Sequence, residues 1–129
     1  MQTTRSSTRI FSSVPVMTTG RIRAISISRK KGIPKTTVSE AELRADWGIV
    51  GDAHAGNWHR QVSLLAMESI DTIRAKGVNV RPGAFAENIT TEFLHLPTLA
   101  IGTRLHIGDV VLEITQIGKE CHTRCAIYY

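Results

Sequence analysis

At 129 residues the chain has room for one domain with a modest core, and its 42% apolar and 21% charged residues are those of an ordinary globular protein. No apolar run approaches the roughly 20 residues of a membrane-spanning helix, and no secretory h-region opens the chain, so neither a membrane partner nor a disulfide framework is expected. The net charge of +5 is unevenly placed: residues 1–39 hold eight of the sixteen Lys and Arg and no acid, while from Glu40 onward eight basic residues face eleven acidic ones.

Residues 1–16 are rich in Ser, Thr and Arg and read as a disordered basic extension, with the domain spanning 17–129. The same composition overlaps with an organellar targeting peptide, and Met17 offers a later start; a cytoplasmic location is expected, with organellar targeting left open. The basicity belongs to residues 1–39 and not to the rest of the chain. The domain lacks a basic stripe interleaved with aromatics, so nucleic acid is not expected as a partner.

Arg21–Ser28 alternates apolar and polar residues, with a slip between Ile22 and Ala24, and predicts a strand. Arg29–Lys35 is a basic loop. Val38–Ala45 fits a strand end or a short helical turn. Trp47–Asn57, with Gly48, Gly51 and Gly56, reads as a loop. Arg60–Leu65 predicts a short strand. Ala66–Lys76 has the strongest helical character: Leu65, Ser69, Ile70 and Ile73 recur at helical spacing, and Gly77 is a natural stop. Ala84–Thr91 is strand-like, and Leu94–Leu99 is a connector around Pro97. Gly102–Ile107 and Val110–Ile117 flank Gly108-Asp109 and predict a hairpin. Short strands with one helix and no βαβ rhythm argue for a mainly β, mainly antiparallel barrel or sandwich.

The chemistry concentrates after the last strand. Cys121, His122, Thr123, Arg124 and Cys125 follow Lys119 in a stretch that holds both cysteines of the chain. Neighbouring cations raise the thiolate fraction of a cysteine, and a thiolate suits sulfane sulfur or a soft metal. The plainer alternative is a small buried hydrophobe. Cys125, beside Ala126 and Ile127, fits that alternative; Cys121 fits the functional one.

His54 and His59 form a second constellation beside Asp52 and Arg60. With Cys121, His122 and Cys125 they would make a zinc set on paper, but the spacing matches no standard finger. A loop in which His54 bonds an anion or a cofactor oxygen fits better, with a capped loop histidine as its equal alternative. Glu87 is a candidate acid or base, or else a carboxylate that holds Arg60 or Arg104.

Taken together, Gly48–Asp71 (GIVGDAHAGNWHRQVSLLAMESID), Pro82–Leu96 (PGAFAENITTEFLHL) and Leu99–Tyr129 resemble the MOSC domain, the C-terminal module of molybdenum cofactor sulfurases, in its small stand-alone bacterial form. Gly83-Ala84-Phe85-x-Glu87-Asn88, Ile101-Gly102-Thr103-Arg104-Leu105 and Gly118-Lys119-x-Cys121-His122 occur in order, over a resemblance running from about Gly20 to Tyr129. It implies a β-barrel-like fold with one substantial helix and short helical turns. It also implies binding of the molybdenum cofactor, a molybdopterin, with Cys121 carrying sulfur or ligating molybdenum. Arg60, Arg104, Lys119 and Arg124 are then candidates for its phosphate, with Asn88, His122 and His54 nearby and Glu87 as a catalytic candidate.

Relatives of this type usually continue past Tyr129, so the final strands are expected to be missing or supplied by a second copy in a homodimer. No pyridoxal-phosphate desulfurase module is present, so a separate cysteine desulfurase or electron donor is expected. Two activities follow from the resemblance: sulfur carriage, or reduction of N-hydroxylated compounds. The alternatives are a non-catalytic cofactor-binding or delivery module and, behind it, a zinc-binding protein.

Overall fold

The computed structural model describes residues 2–4, 19–58 and 60–117. Along them lie β1 (Gln2–Thr4), β2 (Arg21–Ile27), β3 (Thr36–Val38), β4 (Leu43–Arg44), β5 (Gly48–Ile49) and β6 (Leu64–Ala66). Then come α1 (Met67–Ala75), β7 (Ile89–Glu92), a 3-10 turn at Leu96–Thr98, β8 (Arg104–Ile107) and β9 (Val110–Glu113). The fold is mainly β with one substantial helix, as expected.

A four-stranded sheet has the order β3-β2-β7-β6, a three-stranded one β1-β9-β8, and β4-β5 form a small ribbon. The slip in the β2 sequence is structural. Ile22 faces Thr91 and Ala24 faces Thr90, so β2 carries one extra residue where it meets β7. The hairpin forms around Gly108-Asp109, with Leu105 opposite Leu112 and Ile107 opposite Val110, but its strands start at Arg104 and end at Glu113, short of the expected Gly102 and Ile117. Gln2–Thr4, from the segment read as a disordered extension, pairs with Glu113–Val111. Residues 5–18 lie outside the described residues.

Several expectations are corrected. β6 runs parallel to β7 with α1 between them, so one βαβ unit is present; the other described pairings are antiparallel. A three-residue strand running straight into a helix leaves no periodic signal to read. The strand expected over Arg60–Leu65 starts only at Leu64. Ala84–Thr91 is a strand only from Ile89, because Pro82–Phe85 is a turn followed by a bend at Ala86, whose φ is 61°. Gly48 and Ile49, read as loop, form β5, and Ile49 is fully buried. The sheets do not close on one another among the described residues.

The core divides at β6, whose successive side chains face opposite ways. Leu64 packs with Ile49, Val62, Ile89 and Leu112 between the two larger sheets. Leu65 packs with Met67, Ile70, Val80 and Phe85 under α1. The helix ends where Gly77 takes φ 92°, a conformation costly for residues with a Cβ.

Candidate functional site

The site grows from the end of β2. Past Ile27 the chain leaves the sheet at Ser28, loops through basic residues, and returns at Lys35 into β3. Two backbone bonds fix this return: Lys35 N–H donates to the Gly83 carbonyl at 2.8 Å, and Ala53 N–H donates to the Ser28 carbonyl at 2.7 Å. Gly83 is required there. A Cβ would sit 2.2 Å from the Lys35 carbonyl oxygen, and its φ is 93°.

The Lys35 side chain therefore points inward, and it is fully buried together with that of Asp52. Its ammonium lies 2.7 Å from Asp52 Oδ1, 3.3 Å from Ser28 Oγ and 3.0 Å from His54 Nδ1. Asp52 also accepts the Ser28 N–H on Oδ1 at 3.1 Å and the His54 N–H on Oδ2 at 3.0 Å. Burial alone would raise the Asp52 carboxyl; the Lys35 ammonium and the two N–H donors outweigh it and hold the group below its ordinary value.

His54 reaches outward from this cluster, its side chain about a quarter exposed. Its carbonyl accepts the Trp58 indole N–H at 2.8 Å, and the two rings stack with centroids 6.3 Å apart. Lys31 Nζ lies 5.0 Å from the Trp58 ring centre and Arg60 Cζ 5.9 Å. Arg60 Nε donates to Gln116 Oε1 at 3.0 Å. That bond ties the loop to a residue five positions ahead of Cys121 in sequence.

Other predicted residues are placed elsewhere. Glu87 is buried, and its carboxylate accepts Gly83 N–H, Phe85 N–H and Thr90 Oγ1–H. It thus binds its own turn, and neither Arg60 nor Arg104. Asn88 is fully buried; its amide donates to the Ser26 carbonyl and its side-chain oxygen accepts the Ser63 N–H, joining the end of β2 to the approach of β6. Arg104 lies on β8, 3.9 Å from Glu113 across the hairpin. Lys119, Cys121, His122, Arg124, Cys125 and His59 lie outside the described residues. Among the described residues no group of three His, Cys, Asp or Glu could hold a metal ion. No described helix is long and apolar enough to cross a membrane.

The sequence reading missed Lys35, Lys31 and Trp58, and named Asp52 only as a neighbour of His54. One signal was available for Asp52: an Asp two residues before a histidine in a glycine-rich loop is placed to accept that residue's N–H, as it does here. A groove of about 340 Å³ between α1 and the Phe93–Pro97 stretch shares no residue with this cluster.

The MOSC domain family matches residues 51–128, from the loop holding Asp52 through the segment carrying Cys121. No curated protein and no solved structure matches the chain. The match covers more than half of the sequence, and the chain belongs to the MOSC domain family.

Proposed function

We propose that this chain binds the molybdenum cofactor beside the loop 54–60, with Cys121 as the residue that carries sulfur or ligates the metal. The observation that carries the reading is the Arg60–Gln116 bond. It sets a loop bearing His54, Trp58 and Arg60, with Lys31 over the same indole, against the segment after β9 that precedes Cys121 in sequence. The donor set fits an anionic ligand: two cations beside one aromatic ring favour a phosphate next to a flat ring system.

Within this reading Arg60 and Lys31, joined by Lys119, Arg124 and Arg104, supply positive charge for the phosphate. His54 and His122 supply hydrogen bonds. Glu87 and Asn88 act from behind the site: one holds the turn that presses Gly83 on Lys35, the other joins strands. When bound, the cofactor supplies a redox-active metal. As a sulfur carrier, the Cys121 thiolate attacks the outer sulfur of a donor persulfide. A new S–S bond forms on Cys121, the donor's S–S bond breaks, and the donor leaves as a thiolate. The donor would be a separate desulfurase; for reductive turnover an electron donor takes its place.

The test uses protein from a cofactor-producing host, with molybdenum measured by elemental analysis and pterin by fluorescence. Cys121→Ala is expected to lose metal retention or sulfur loading while keeping the melting temperature. Full retention of both by the variant overturns the reading. Pterin bound without turnover would favour the delivery module.

A further inference from the structure

The buried ammonium of Lys35 has three hydrogens and three acceptors: Asp52 Oδ1, Ser28 Oγ and His54 Nδ1. Each acceptor's own state is constrained. Asp52 receives two backbone N–H groups besides the ammonium, an arrangement that favours the carboxylate and leaves the proton on Lys35. The Ser28 hydroxyl donates to the Lys30 carbonyl at 2.9 Å, so toward Lys35 it accepts. His54 Nδ1 then faces a donor at 3.0 Å and must offer its lone pair. Asp52 Oδ2 lies 3.8 Å from Nδ1, beyond hydrogen-bond distance.

We infer that Lys35 is a positioning residue that locks His54 as the Nε2–H tautomer, so that His54 meets a ligand as a hydrogen-bond donor and not as a metal ligand. A neutral imidazole has one N–H and one lone pair. With the lone pair engaged by Lys35, the outer nitrogen carries the hydrogen and cannot coordinate. The same buried ion pair that fixes the loop also fixes what its histidine recognises. This removes His54 from any zinc set. On the cofactor-binding reading above, on which this last step alone rests, the donor meets an anionic oxygen.

The test needs no cofactor, so its outcome is separate from that of the binding reading. Long-range proton–nitrogen correlation spectra of the ¹⁵N-labelled full chain at neutral pH report the tautomer, with His54 assigned by the signal lost in His54→Gln. The expected pattern is a protonated Nε2 and a bare Nδ1. A protonated Nδ1, in either the neutral tautomer or the imidazolium, overturns the inference. The double variant Lys35→Met with Asp52→Asn removes the ammonium without leaving a buried charge. In the folded variant the Nε2–H pattern should be lost or mixed; an unchanged pattern overturns the role of Lys35. Zinc chloride titrated into the unmodified chain should leave the His54 signals in place, and a saturable shift of those signals overturns the inference independently of whether the double variant folds.

Discussion

The two halves of the domain are closed by opposite means. Around the end of β2 a cluster of buried polar groups gathers: Ser26, Ser28, Lys35, Asp52, Glu87, Asn88 and Thr90. In the hairpin β8–β9 the buried groups are apolar, with Leu112 and Val111 fully or nearly buried and the charged pair Arg104–Glu113 at the rim. An apolar contact tolerates small shifts, whereas a buried hydrogen bond holds its partners to a few tenths of an ångström in distance and to a narrow range of angles. The polar half is therefore the half that can hold an imidazole in one orientation and one protonation state. The apolar half closes the hairpin by side-chain packing, with Leu105 opposite Leu112.

This contrast makes its largest prediction at Asp52. Asp52→Ala leaves the Lys35 ammonium buried without its anion, an error that costs about 3–5 kcal/mol. Chemical denaturation should show that loss. In the unmodified chain the folded Asp52 carboxyl lies below its ordinary value of 3.8, so its contribution is complete above that pH and is lost as the pH falls through the lower folded value. The variant should lack this acid-sensitive share. A loss below about 1 kcal/mol, the scale of an exposed pair, would mean that the ion pair is not buried in solution.

Leu112→Ala probes the other half. Leu112 is fully buried between the sheets with Ile49, Val62 and Ile89. Truncation should cost on the order of 3 kcal/mol through lost burial and the cavity left behind. Unlike Asp52→Ala, it should be insensitive to pH in the acid range and should leave the His54 tautomer unchanged. A tautomer change in this variant would show that the two halves are not separable.

How much was legible follows the same division. The hairpin was read correctly because period-two alternation, with a Gly-Asp turn, is a local signal that burial enforces. The helix was read for a similar reason, and even the bulge in β2 left a trace in the spacing of Ile22 and Ala24. The polar half was not legible. Lys35 sits in a run of basic residues and looks like solvated surface; only a long-range contact with Gly83 turns it inward. Glu87 and Asn88 stand out as a motif, but their role lies in partners that alternation cannot indicate: a turn two to four residues back, and the backbone of Ser63 and Ser26, 25 and 62 residues away. Chemistry-bearing residue types mark where to look, and the folded neighbours decide which of them hold the scaffold.

Arg104 gives the smallest expected effect on stability and the sharpest separation of roles. Its guanidinium lies 3.9 Å from the Glu113 carboxylate, with about half of the Arg104 side chain exposed. Water screens such a pair and long side chains lose entropy in making it, so exposed pairs contribute about 0–1 kcal/mol. Arg104→Ala should therefore leave the denaturation midpoint almost unchanged, since Leu105 and Leu112 hold the hairpin from its other face. If Arg104 contributes charge toward an anionic cofactor, as proposed, molybdenum retention falls while the midpoint stays. A fall in both together, with a stability loss above about 2 kcal/mol, would place Arg104 among the groups that close the domain and erase the distinction between rim and core in this half.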